Sequence, residues 1–146
     1  MYKHILLPVD LNDEHPTFVA TGVEYAQQFG ATLHVLTVIP DFGAHSISHY
    51  FSSHTDEKIT KGARDELSSF ISKHIPREIG AKPIVARGTV YEVIIGTARD
   101  TYSDLIILGA HRPGLKDYLL GSNAERVVRH ADCSVLVVRT TLNPLG

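Results

Sequence analysis

Five short runs rich in Val, Ile and Leu recur along this chain, separated by longer segments whose apolar residues repeat every three to four positions. The runs are Ile5 to Val9, Thr32 to Ile39, Ala81 to Arg87, Asp104 to Leu108 and Ser134 to Val138. Several place apolar residues at consecutive positions, as strands do when both faces of their sheet are covered. The segments between them read as four helices. The first covers about Pro16 to Phe29, with Val19, Val23 and Ala26 on one face, Pro16 suited to the first turn and Gly30 as the stop. The second covers about Asp56 to His74, where Ile59, Ala63, Leu67, Phe70, Ile71 and His74 keep the helical period until Pro76 ends it. Thr89 with Glu92 opens the third and Ser122 with Glu125 the fourth, both in the spacing of a capping box.

Such alternation predicts an α/β fold: a doubly wound, five-stranded parallel sheet, Rossmann-like, with right-handed crossovers and helices on both faces. Pro83 cannot donate to a ladder, which puts the third strand on an edge and suits the strand order 3-2-1-4-5. The first and fourth strands are then neighbours at the switch point. Ligands of such sheets bind beyond the carboxyl ends of those strands, so the segments after Val9 and after Leu108 are where function is to be sought.

Residues 1–146 are expected to form one domain, since a chain of this length buries roughly 68–70% of its unfolded surface without help from disulfides or metals. The single cysteine, Cys133, has no partner for an internal bridge and reads as a small buried group rather than a reactive thiol. A net charge of −2 without long runs of one sign argues against a nucleic-acid surface, a polybasic membrane anchor and an acidic tail. Ile5 to Val9 is too short for a signal-peptide core, and no stretch approaches the ~18 apolar residues of a membrane span, so a cytosolic location is expected.

The segment Pro40 to Thr55 has no period and reads as one long loop, of the kind that serves as a lid or partner surface. It holds His45, His49 and His54. His45 and His49 have the i, i+4 spacing that suits Zn²⁺ or Ni²⁺, but no cysteine is near and no third ligand is evident, so solvated loop histidines are expected.

Chemistry is concentrated between Gly109 and Asn123. Gly109 and Gly121 flank a basic stretch containing His111, Arg112, Gly114 and Lys116, and a helix start follows. Glycines let backbone N–H groups approach phosphate oxygens, a helix N-terminus favours anions, and Arg112 or Lys116 adds charge. The competing reading makes Ser122 only a cap and Gly109 only the exit from a strand. A P-loop is absent, because Leu115-Lys116 stands where Lys followed by Ser or Thr is needed, and neither G-x-G-x-x-G nor G-x-S-x-G occurs. Across the switch point lies Asp10, after Pro8 and Val9. It reads either as a ligand for ribose hydroxyls or phosphate-bound Mg²⁺, or as a turn residue heading Asp10-Leu11-Asn12-Asp13-Glu14. A receiver domain is not indicated, since Arg87-Gly88 and Arg139 stand where its further Asp and its Lys would be.

Taken together, the opening Tyr2-Lys3-His4-Ile5-Leu6-Leu7-Pro8-Val9-Asp10, the second strand ending Leu36-Thr37-Val38-Ile39-Pro40, and the block from Gly109 to Arg139 resemble the universal stress protein family. The resemblance covers Met1 to Arg139. Its ATP-binding members carry G-x2-G-x9-G-[ST]. Gly109, Gly121 and Ser122 match that pattern, while Arg112 replaces its second glycine and the spacer is one residue short. His111-Arg112-Pro113 with Leu119-Leu120-Gly121-Ser122-Asn123 resembles the F/G-like branch. The resemblance implies ATP held with the backbone of Val9 and Val38 near adenine and Asp10 near the ribose or Mg²⁺. It puts Gly109, Gly121, Ser122 and Asn123 at the phosphates, with Arg112 supplying a charged contact.

The expected function is an ATP-binding stress or signalling module whose nucleotide state stabilises a partner surface. A slow ATPase or self-phosphorylating protein using Ser122 and Arg112 is the enzymatic alternative, and an interaction module without nucleotide is the third reading. The fifth strand has no proline, glycine or charge before Arg139, so the second sheet edge is expected to pair with a twofold mate through residues 134 to 139, giving a homodimer from which a tetramer can be built.

Overall fold

A computed structural model of the chain describes residues 1–13, 16–40, 53–110 and 119–139. Five strands, β1 (His4–Pro8), β2 (Thr32–Pro40), β3 (Lys82–Gly88), β4 (Leu105–Gly109) and β5 (Ser134–Val138), form one sheet in the order β3-β2-β1-β4-β5. Every pairing is parallel. Helices α1 (Phe18–Phe29), α2 (Ser53–His74), α3 (Val90–Asp100) and α4 (Leu119–His130) connect the strands.

The unbroken apolar runs at the centre of the sheet are what force this layering. Ile5, Leu6, Leu7, Ile106, Ile107 and Leu108 have no solvent exposure, so both faces must be covered. Ile5, Leu7, Leu33 and Val35 face one layer, where Val19 and Val23 of α1 and Leu67 and Phe70 of α2 pack against them. Leu6, Leu36, Ile106 and Leu108 face the other, against Ile94 and Ala98 of α3 and Ala124 and Val127 of α4. Each fully buried Leu or Ile contributes about 1.5–3 kcal/mol relative to an exposed one. Pro83 lies on the edge strand β3, beside Val35, the position in a sheet where a missing N–H is tolerated.

Helix ends depart from expectation more than strands do. Pro16 stands outside α1, ahead of the N-cap Thr17, whose side chain makes no capping bond. Gly30 does close α1 in the left-handed conformation at φ 62°, and the N–H of Ala31 reaches the Ala26 carbonyl. α2 begins at Ser53 rather than Asp56, so His54 belongs to a helix, while His45 and His49 lie outside the described residues. A short 3-10 turn, Arg77–Ile79, follows α2 and ends on Gly80 at φ 64°. The expected start of the fourth helix at Ser122 is wrong by one turn. Leu120 continues the Ala124 and Val127 stripe backwards at helical spacing, and Leu119 and Leu120 are strong helix formers, so α4 starts at Leu119. Glu125, expected to complete a capping box, pairs with Arg129 at 3.5 Å on the exposed side of α4.

Gly109 ends β4 beside Val138. A Cβ there would lie 2.9 Å from Cδ1 of the buried Phe18 ring, so packing alone demands glycine. Gly109→Ala should therefore destabilise the fold by about 1–3 kcal/mol in urea unfolding. Combined with Phe18→Leu it should cost less than the two single changes added together, because the smaller side chain vacates the clash.

Candidate functional site

Beyond the carboxyl ends of β1 and β2 the sheet opens into a crevice lined by Pro8, Val9, Asp10, Thr37, Val38, Val90 and Ile94. The crossover from β1 leaves over one face and that from β4 over the other, and this opening lies beside the resulting switch point, between the ends of β1 and β2 and the start of α3. Four of the expected site residues, Pro8, Val9, Asp10 and Val38, thus lie together. Val9 is held by its N–H to the Leu36 carbonyl at 2.8 Å. Thr37, Val90 and Ile94 complete the walls and were not singled out in the sequence. The signal available for Val90 and Ile94 was their position in the first turns of the helix following the edge strand.

Asp10 has a second task at the rim. Its Oδ1 accepts the Asn12 N–H at 2.9 Å and its carbonyl accepts the Asp13 N–H at 3.0 Å, the geometry of a side-chain-supported turn. The turn fixes the carboxylate at the crevice. Mg²⁺ is commonly held by one or two carboxylates together with the phosphates of its ligand, and a lone Asp10 fits that donor set. Among the described residues no group of three or more His, Cys, Asp and Glu is arranged to hold a metal without such a ligand.

On the far side, Gly121 is in the first turn of α4, where backbone N–H groups lack intrahelical partners, and Ser122 follows directly. His111 and Arg112 lie outside the described residues. Asn123 is a structural link. Thr89 occupies the N-cap of α3, as its sequence pattern implies, but its side chain makes no capping bond. Instead Oδ1 of Asn123 accepts the N–H of Tyr91 at 3.1 Å, capping α3 from the neighbouring helix. Above this contact the Arg126 guanidinium lies 5.1 Å from the Tyr91 ring centroid, and the His130 ring is 6.2 Å from it. α4, one residue past its first turn, is thereby tied to the residue next to Val90, a wall of the crevice.

Cys133 is half-buried away from this opening. Burial pushes its pKa up, and the nearby carboxylates of Asp104 and Asp132 add to the rise, so the thiol stays protonated, in keeping with an inert packing role.

The sequence profile of the Universal stress protein family matches residues 1–139. The chain belongs to that family. It is 32% identical over 144 residues to universal stress protein G of Shigella flexneri, covering 95% of this chain and all of the relative. That agrees with the F/G-like resemblance of the block after β4. The universal stress protein UspA of Lactobacillus plantarum is 28% identical and superposes with a TM-score of 0.71 over 94% of this chain and 98% of its own. A universal stress protein of Archaeoglobus fulgidus, solved in complex with dAMP, shares the fold at a TM-score of 0.61 and 19% identity, over 93% of this chain and 97% of its own. No helix among the described residues is long and apolar enough to cross a membrane.

Removal of the Asn123 cap should be visible without any ligand. Asn123→Ala is expected to cost about 0.5–2 kcal/mol of stability. It should also speed hydrogen exchange at the Tyr91 amide relative to amides in the middle of α3.

Proposed function

We propose that this universal stress protein binds ATP with Mg²⁺ in the crevice at the ends of β1 and β2, and acts as a cytosolic signalling module rather than as a dedicated catalyst. The observation that carries the reading is the juxtaposition at the switch point. Apolar walls from Val9 and Val38 suit an adenine ring, the Asp10 carboxylate suits ribose hydroxyls or the metal, and the first turn of α4, tied beside Val90 through Asn123, offers N–H groups suited to phosphate. Gly109, Gly121, Ser122 and Asn123 form the phosphate side, and His111 and Arg112 add donors and charge. Nucleotide binding by the Archaeoglobus fulgidus relative is consistent with this use of the fold. The nucleotide state acts on the long segment after Pro40, which presents the partner surface.

In the same reading the protein is a homodimer through Ser134 to Arg139. β5 pairs only with β4 among the described residues, and Val135 to Val138 are half-buried along an edge without proline, glycine or charge. An antiparallel twofold mate would satisfy the free N–H and C=O groups of both copies.

Isothermal titration with ATP and Mg²⁺, run beside a phosphate-release assay, tests the site. Gly121→Val should fold yet bind ATP much more weakly, because a branched side chain fills the approach to the N–H groups. Ser122→Ala should lose about 1–3 kcal/mol of binding, as for a lost hydrogen bond to a charged group. Unchanged affinity in folded Gly121→Val sinks the phosphate site, and rapid multiple turnover by the wild type moves the protein to the enzymes. For the dimer, Val137→Pro should give monomer or aggregate in light scattering, and a stable dimer of wild-type mass would place the interface elsewhere.

A further inference from the structure

At the opposite end of the sheet, ionisable residues from neighbouring strands form a row on the face covered by α3 and α4. Leu6 and Leu36 pack on that face, so the alternation along each strand puts His4 and His34 there too. His34 pairs in register with Leu6 on one side and with Lys82 on the other. Asp104, just ahead of β4, donates its N–H to the His4 carbonyl at 2.9 Å. The two rings are stacked, with centroids 5.5 Å apart and 29° between planes, and Nδ1 of His4 lies 3.3 Å from Nε2 of His34. His34 is only 8% exposed.

A hydrogen bond between two imidazoles needs one N–H and one lone pair. Neutral rings provide that, and so does a pair sharing a single added proton. A second added proton removes the last lone pair and leaves two cations at 3.3 Å beside Lys82. The Asp104 carboxylate accepts the N–H groups of Lys3 and His4 at 3.0 to 3.1 Å rather than a ring N–H, and its charge acts on His4 and is not among those that bear on His34. Burial would raise the pKa of Asp104, but these backbone donors and the charge of His4 outweigh it and hold the pKa below the usual value, so Asp104 stays ionised through the range in which histidine titrates. The charges that bear on His34 are those of His4 from β1 and Lys82 from β3.

We propose that His4 and His34 form an acid-sensitive clasp between β1 and β2, closed while the pair carries at most one added proton and opened when His34 accepts a second. Opening loosens the end of the sheet where the chain enters these strands. The direction follows from the environment of His34. Burial first, then the charges of His4 and Lys82, push its pKa below the ordinary histidine value. A base with a depressed folded pKa contributes its full stabilisation above the unfolded pKa, near 6.5, and loses it as pH falls through the folded value. The device stands apart from the crevice and does not rest on nucleotide binding.

The test compares urea unfolding of wild type, His34→Gln and Lys82→Met between about pH 7.5 and pH 5, with the imidazole resonances followed by NMR. Over that interval the unfolding constant of the wild type should rise about tenfold more than that of His34→Gln for each unit by which the His34 pKa is depressed. Lys82→Met should move the His34 titration to higher pH. Hydrogen exchange at the acid end should lose protection at Thr32, bonded to the Lys3 carbonyl beside the clasp, before Val9, bonded to Leu36 at the crevice. The clasp is overturned if His34 titrates at the ordinary value and His34→Gln keeps the wild-type pH dependence, or if Thr32 and Val9 lose protection together. Should His34→Gln fail to fold, Lys82→Met and the wild-type titration decide the matter in the same way.

Discussion

The N–H of His4 donates to the carboxylate of Asp104, a residue 100 positions away in sequence, and just above that contact β1 and β4 run side by side through the centre of the sheet. Bringing such distant segments together costs loop-closure entropy, which is repaid only because the pair is wholly buried. Ile5, Leu6 and Leu7 on one strand, and Ile106, Ile107 and Leu108 on the other, lose all exposure, half of them into each helical layer. The connections leaving the carboxyl ends of β1 and β4 run over opposite faces, which makes a switch point there, and the crevice lined by Val9, Asp10, Val38 and Val90 lies beside it, at the ends of β1 and β2.

The topology was legible because few arrangements satisfy such residues. Runs apolar on both faces call for a parallel sheet between two helical layers, and Pro83 can be tolerated only on an edge. Helix termini were less legible, because capping groups need not come from the local sequence. Thr89 and Ser122 both stand in capping-box spacing, yet Thr89 makes no side-chain cap and Ser122 lies within the first turn of α4. The donor that Thr89 leaves unsatisfied is taken by Asn123, 32 residues away. No window of sequence around α3 contains that information.

The site was legible in part, and for a related reason. Pro8, Val9 and Asp10 were placed by where β1 ends at the switch point and Val38 by the family resemblance, and all four line the same crevice. Asp10 serves the turn that one of its two readings expects, and its position at the rim of the crevice leaves the ligand reading to the proposal. The His4 and His34 pair escaped notice because each histidine sits singly in an apolar strand. A signal was present, since residues of matching parity on adjacent parallel strands share a face, but using it requires the register of His34 against Leu6.

Glycine patterns are weaker evidence for a phosphate loop than their spacing suggests, and Gly109 shows why. It matches the first glycine of the family's nucleotide pattern, yet any side chain there would crowd the Phe18 ring. A glycine demanded by packing says nothing about a ligand, however well it fits a motif. The weight of the nucleotide reading therefore moves from the motif to the place. It rests on a carboxylate locked by its own turn at the mouth of an apolar crevice, and on a helix start bonded across to the adjoining wall. The first is local to the chain after β1 and the second joins α4 to α3, and the parallel sheet brings both to the same end because every strand presents its carboxyl end there.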